Sequence, residues 1–136
     1  MKTNWPEKMW VNSPLRVLVQ RWETGFFRGL SEMAKGGSCL EIGCGAGRMT
    51  MQLARSFRSV VAVDVSEDMI AYARQRVTEK NVDFQVINGT SLPCEEDSLT
   101  AVFSTHVFQH FDSLEYADLY FTEVSRSLKP GGTLMI

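Results

Sequence analysis

Residues 38–50 read Ser-Cys-Leu-Glu-Ile-Gly-Cys-Gly-Ala-Gly-Arg-Met-Thr, with Glu41, Gly43, Gly45 and Gly47 at every second position. A short apolar run passes here into the start of a helix through a turn that carries three glycines. Glycine frees that turn from Cβ restrictions and lets a ligand lie against bare backbone. The helix behind it points its first, unpaired N–H groups at the same ligand. The binding chemistry is not that of a dinucleotide fingerprint, which would need glycines at 43, 45 and 48 and meets Arg48 instead. A plain structural strand-to-helix turn is the alternative for this stretch alone. Asp64 stands 21 residues after Gly43. At that distance an acid can accept hydrogen bonds from both hydroxyls of a ribose. It can also cap the helix that follows.

Further chemistry-bearing residues fall at the ends of apolar runs. Asn88-Gly89-Thr90 closes one and Ser104-Thr105-His106 closes another. His106 and His110 are the only histidines, and four residues apart on a helix they would share a face. No Glu or third ligand accompanies them, so no metal site is read here. One of them can serve as a general base, whereas His110 can equally pack as a structural residue. Cys39, Cys44 and Cys94 lack zinc-type spacing and read as reduced thiols in or near the core.

The elements that would position these residues follow from periodicity. Residues 1–13 carry Trp5 and Trp10 without a regular pattern and read as an irregular arm. From Pro14, Leu15, Leu18, Val19, Trp22, Phe26 and Leu30 recur at helical spacing. Strands are expected at Ser38–Ile42, around Val60–Val63, at Val82–Ile87, at Leu99–Ser104 and from Thr133. Helices are expected at Gly47–Phe57, from an N-cap at Ser66 to about Lys80, and from an N-cap at Asp112 with Glu115 in a capping box. The second helix should turn Met69, Ala73 and Val77 inward, and the third Leu114, Ala117, Phe121, Val124 and Leu128. Pro130-Gly131-Gly132 should stop the third helix. Alternating strands and helices make an α/β fold with a parallel sheet.

Composition agrees. The chain has 136 residues, 44% apolar and 22% charged, with a net charge of −2. That suits one globular domain and argues against a general polyanion binder. The N-terminus lacks the apolar core of a signal peptide, and no apolar run approaches the ~20 residues of a membrane span, so a cytoplasmic location is expected.

In order and spacing these segments resemble class I S-adenosylmethionine (SAM)-dependent methyltransferases. The glycine motif is Glu41-Ile-Gly-Cys-Gly-Ala-Gly47 and the ribose acid is Asp64 in Val-Ala-Val-Asp-Val-Ser. The adenine-side loop is Asn88-Gly89-Thr90, followed by Leu92-Pro93. The fourth strand is Ser98 to Ser104, followed by Val107-Phe-Gln-His110, and the late motif is Leu128-Lys-Pro-Gly-Gly132. The resemblance implies a Rossmann-like doubly wound, mainly parallel sheet of order 3-2-1-4-5, truncated before its last two strands. It implies SAM as cofactor and S-adenosylhomocysteine as product. Gly43, Gly45 and the neighbouring backbone of Glu41, Cys44, Ala46 and Gly47 would pass the methionine moiety. Asp64 would take the ribose, and Val65 and Met69 would lie on one adenine face, although Met69 can also be plain core. Asn88, Gly89 and Thr90 would meet the adenine edge, and the backbone at Ser104 and Thr105 the sulfonium side. Asn88 stands where the family often has aspartate, and an amide can still donate and accept. Thr100 replaces another frequent aspartate, at a position read as structural.

Residues 1–37 are thus expected to be an N-terminal arm and helix covering the cofactor site, and residues 38–136 the SAM-binding domain. The acceptor follows by elimination. Pro93-Cys94 precedes the fourth strand, whereas the nucleophilic Pro-Cys of cytosine C5-methyltransferases follows it. No Asn-Pro-Pro-Tyr motif follows Ser104, and no basic, aromatic-interleaved stripe points to nucleic acid. A small-molecule, lipid, quinone or natural-product acceptor remains, with Trp5, Trp10, Trp22, Phe26 and Phe27 either walling its pocket or packing on the sheet. Two other readings are a non-catalytic SAM-binding partner protein and, opposed by Arg48 and Glu41, an NAD(P) oxidoreductase. The apolar pattern runs to Ile136, so the chain reads as a fragment or a short variant. Its fifth strand would be an unprotected edge, prone to association and leaving room for a homodimer.

Overall fold

Short apolar runs with few polar interruptions bury both faces when they lie in the middle of a parallel sheet. The computed structural model, which describes the backbone of residues 16–17 and residues 36–89, 91–104, 107 and 111–136, builds its sheet from such runs. In chain order the elements are β1 (Arg16–Val17), β2 (Ser38–Ile42), α1 (Arg48–Ser56), β3 (Ser59–Asp64), α2 (Glu67–Arg76), β4 (Val82–Val86), β5 (Leu99–Ser104), α3 (Leu114–Ser127) and β6 (Leu128–Met135). The strands lie in the order β1-β6-β5-β2-β3-β4, and every adjacent pair is parallel. From β4 to β6 this is the expected 3-2-1-4-5 order.

Alternate residues of each strand face opposite helical layers, as a period of two requires. Leu40, Ile42, Val102 and Leu134 join Ala117, Tyr120 and Val124 of α3. Cys39, Val60, Ala101, Phe103 and Met135 meet Leu53, Ala54 and Phe57 at α1. Ala62 and Phe84 meet Ile70 and Ala73 of α2. Thus α1 and α2 cover one face and α3 the other.

Local chemistry sets the helix ends. Ser66 caps α2 by accepting from Met69 N at 3.3 Å, and Glu67 and Asp68 in the first turn favour the positive end of the dipole. The helix ends at Arg76 rather than near Lys80, and its inward residues are Ile70 and Ala73. Met69 is 42% exposed, so it is not core. At α3 the cap is Ser113, which accepts from Tyr116 N at 3.2 Å, not Asp112. That shift of one residue leaves Glu115 in the wrong position for a capping box. Of the expected inward face, Ala117, Val124 and Leu128 are buried and half-buried Phe121 packs against them, whereas Leu114 is exposed and Tyr120 is buried in addition.

Two further corrections concern the sheet edge. Within the helix expected from Pro14, Arg16–Val17 instead form strand β1, with Arg16 opposite Thr133 and Val17 opposite Leu134; the rest of that expected helix lies outside the described residues. Unpaired backbone groups along β6 gain partners there, and this outweighs the helical spacing of the side chains. Strand β6, the fifth of the sequence reading, is therefore not the bare edge expected of it. It also starts earlier than Thr133. Leu128 pairs with Leu99 directly after α3, and pairing resumes at Thr133 opposite Ala101 after an irregularity. Pro130-Gly131-Gly132 lies inside β6, with Gly131 at φ +80°, and does not end the helix. Trp5, Trp10, Trp22, Phe26 and Phe27 lie outside the described residues.

Candidate functional site

The carboxyl ends of β2, β3, β4 and β5 are adjacent in the sheet, and the residues singled out by type lie there. At the end of β2 the chain turns with Gly43, Gly45 and Gly47 all at positive φ, of +75°, +52° and +83°. Gly43 and Cys44 donate to the Val63 carbonyl at 2.8 and 3.0 Å, which folds the turn over the end of β3. A methyl placed on Gly47 would come within 2.6 Å of Val77 Cγ2, so this glycine brings α1 and α2 together. A methyl on Gly45 would meet nothing within 4 Å. Gly45 therefore has open space in front of it. No side chain caps α1 and no acid stands in its first turn, so the positive end of its dipole is uncompensated from within the helix.

Asp64 ends β3 and aims its carboxylate at this turn. Its Oδ2 accepts from Gly45 N at 2.8 Å and its Oδ1 from Ser66 N at 2.9 Å. The cap of α2 is Ser66 itself, so Asp64 braces the start of that helix and the glycine turn together. A carboxylate offers about four acceptor positions, so two bonds leave capacity for a ligand. Val65 is 67% exposed beside it, and Met69 follows at the first turn of α2. Asn88 and Gly89 lie beyond β4, and a methyl on Gly89 would also meet open space.

Glu41 is placed differently. It is 3% exposed and accepts from the Thr50 hydroxyl of α1. Burial pushes its pKa up to about 7; the Thr50 hydrogen bond opposes this and the nearby Asp64 charge adds to it. Glu41 thus pins the glycine turn to α1 from behind. Ser104 Oγ donates to the Ile42 carbonyl at 3.2 Å, tying β5 to β2 at the same edge. Thr100 Oγ1 donates to the Ser38 carbonyl at 3.0 Å, a structural role as expected. Cys44 lies within the turn, and burial pushes its thiol up to about 12, which leaves it unreactive at neutral pH.

Thr90, Thr105, His106 and His110 lie outside the described residues. Sequence reasoning missed three residues near this edge. Thr50 holds Glu41. Val107 lies against Gly43, where an added methyl would stand 2.1 Å from its Cγ2. Tyr120 of α3 donates its hydroxyl to the Gly89 carbonyl at 2.8 Å. The last had a signal, since Tyr120 shares a helical face with Ala117 and Val124.

A family profile described as "Methyltransferase domain" matches residues 40–136, from the first buried leucine of β2 to the end of the chain. The chain belongs to the class I SAM-dependent methyltransferases. The chain is 33% identical over 103 residues to a fatty-acid O-methyltransferase of Mycolicibacterium smegmatis, covering 72% of this chain and 35% of the relative. It is 33% identical over 120 residues to a malonyl-[acyl-carrier protein] O-methyltransferase of Priestia megaterium, covering 87% of this chain and 40% of the relative. Among solved structures, the YcgJ protein of Bacillus subtilis superposes with a TM-score of 0.70 at 26% identity, over 81% of this chain and 47% of that one. The chain thus spans less than half the length of these relatives. No described helix is long and apolar enough to cross a membrane.

Proposed function

We propose that the chain binds SAM along the carboxyl edge of β2, β3 and β4 and carries the cofactor site of an enzyme that methylates a small acceptor. The observation behind this reading is the bond from Gly45 N to Asp64 Oδ2 beside the open face of the glycine turn. It sets a carboxylate and bare backbone side by side, which suits a ribose next to an amino-acid tail. When bound, SAM supplies a methyl on a positively charged sulfur that a nucleophile can displace in line. The chain's residues then have to hold and orient. Asp64 accepts from the ribose hydroxyls, Gly43 to Gly47 line the methionine moiety, Val65 and Met69 cover one face of the adenine, and Asn88 with Gly89 meets its edge. Glu41 supports the turn through Thr50 and α1.

The named relatives act on fatty acids and malonyl-[acyl-carrier protein]. These names support an oxygen acceptor on a lipid-like molecule, and relatives named for ubiquinone biosynthesis and for demethylmenaquinone support a quinone-like one. A carboxylate acceptor is already ionised at neutral pH and needs no base; where the acceptor oxygen is a hydroxyl, the proton it loses is assigned to His106 or His110. An alanine at the one responsible should lower turnover by ~10²–10⁴ at unchanged cofactor affinity. The cofactor reading is tested by thermal shift. S-adenosylhomocysteine at ~100 times its dissociation constant should add about 2.7 kcal/mol of stability, with no shift from NAD or NADP. A shift with NAD and none with S-adenosylhomocysteine refutes it.

A further inference from the structure

The loop between β4 and β5 is held by α3 along its length. Tyr120 Oη donates to the Gly89 carbonyl at 2.8 Å. Leu92 N donates to Glu123 Oε2 at 3.0 Å, and Arg126 Nη2 donates to the Cys94 carbonyl at 2.9 Å. Residues 120, 123 and 126 rise along one side of the helix in steps of three, and Gly89, Leu92 and Cys94 follow them in the same order. The Glu123–Arg126 pair, at 3.1 Å, holds the far half of the loop. Tyr120 alone of these three grips the near half, directly beyond β4.

Its ring is fixed from two sides. Phe111 stacks on it at 5.0 Å and 20°, and Tyr116 meets it edge-on at 5.9 Å. Tyr120 is 3% exposed, so its hydroxyl is aimed by packing and not by chance. A methyl on Gly89 would meet nothing within 4 Å, so this residue also has open space beside it.

We infer that Tyr120 is a positioning residue for recognition of the cofactor's base: by holding the Gly89 carbonyl it sets the loop edge that reads the 6-amino group of adenine. This rests on the proposed SAM site, and it adds a residue from the opposite layer of the fold. A purine is discriminated at its edge by donors and acceptors whose positions must hold to a few tenths of an ångström. A loop released at Gly89 would still bind the ribose through Asp64 but would read the base less sharply.

The test compares affinities for S-adenosylhomocysteine and S-inosylhomocysteine, which carries a carbonyl in place of the 6-amino group. Tyr120→Phe keeps the ring and its stacking and removes the hydroxyl that bonds the Gly89 carbonyl. Val124→Ala, a core change on the same helix, serves as the comparison for general loosening of α3. Wild type should prefer S-adenosylhomocysteine. Tyr120→Phe should lower that preference by about fivefold, the scale of one lost hydrogen bond, while Val124→Ala lowers the melting temperature and keeps the preference. An unchanged preference in Tyr120→Phe, or an equal loss in both variants, overturns the role of Tyr120 and leaves the cofactor site standing. A wild-type chain that binds neither compound overturns the cofactor reading and this inference together.

Discussion

Asp64 divides its carboxylate between two backbone donors, Gly45 N and Ser66 N, and keeps lone pairs for a third partner. Hydrogen bonds to a charged acceptor contribute about 1.5–3 kcal/mol each. Asp64→Ala should therefore weaken S-adenosylhomocysteine binding at least tenfold in calorimetry (~1.4 kcal/mol). Unchanged affinity in a folded variant would confine Asp64 to bracing the turn. Glu41 behaves in the opposite sense. Its proton is held in the folded chain up to about pH 7, whereas an unperturbed glutamate releases it near 4.5. Between these values the folded state binds more protons than the unfolded one, so stability falls as pH rises through this window. Ionising Glu41 in place costs about 3 kcal/mol at the high-pH end. Glu41→Gln should flatten the decline between pH 4.5 and 7 and should unfold at higher urea than wild type at pH 8. A wild-type stability that rises across that window, with Glu41→Gln parallel to it, would contradict this.

Among the elements, Gly47 and Gly45 of the turn separate structure from binding. Gly47→Ala would place its methyl against Val77 and Ala73 of α2 at φ +83°, so about 1–3 kcal/mol of stability should be lost. Gly45→Ala meets open space and pays only for its backbone, so it should lower S-adenosylhomocysteine affinity more than stability. Urea unfolding and calorimetry on both variants check the contrast, and equal effects on the two readouts would refute it. The sheet was legible because Val60 to Val63 and Leu99 to Ser104 are apolar runs that only a doubly covered strand can bury. The glycine turn and Asp64 were legible from their spacing. The packing face of α3 was legible at Ala117, Val124 and Leu128; Tyr120 was not, because it borders that face beside the equally large, aromatic Phe121 and only the packing of α3 on the sheet buries it more deeply. Strand β1 was hidden because Arg16–Val17 is too short to carry its own pattern and exists only through its pairing with β6. Thr50 carries no local mark of its bond to Glu41, because that contact depends on how α1 lies over β2.

For the molecule as a whole, β1 covers Thr133 and Leu134 of a strand whose outer side would otherwise offer a row of unpaired backbone groups. Deleting residues 1–17 should raise self-association with concentration in light scattering. A deletion variant whose scattering matches that of wild type at every concentration would refute this protective role. The parallel pairing of β2 with two partners has a kinetic consequence. Ser38 of β2 meets Ser59 of β3 across 21 residues of chain, but meets Thr100 of β5 across 62. Closing the longer loop costs about 1 kcal/mol more in chain entropy, before any packing is gained. The β2–β3 pair should accordingly be formed in the folding transition state and the β2–β5 pair completed after it. Val60→Ala should then slow folding, whereas Val102→Ala should mainly speed unfolding. Equal φ-values at the two positions would argue against this order. The clamp between Gly45 and Asp64 belongs to the early half and the bond from Tyr120 to Gly89 to the late one, so the folding chain would shape the proposed ribose site before the proposed base site.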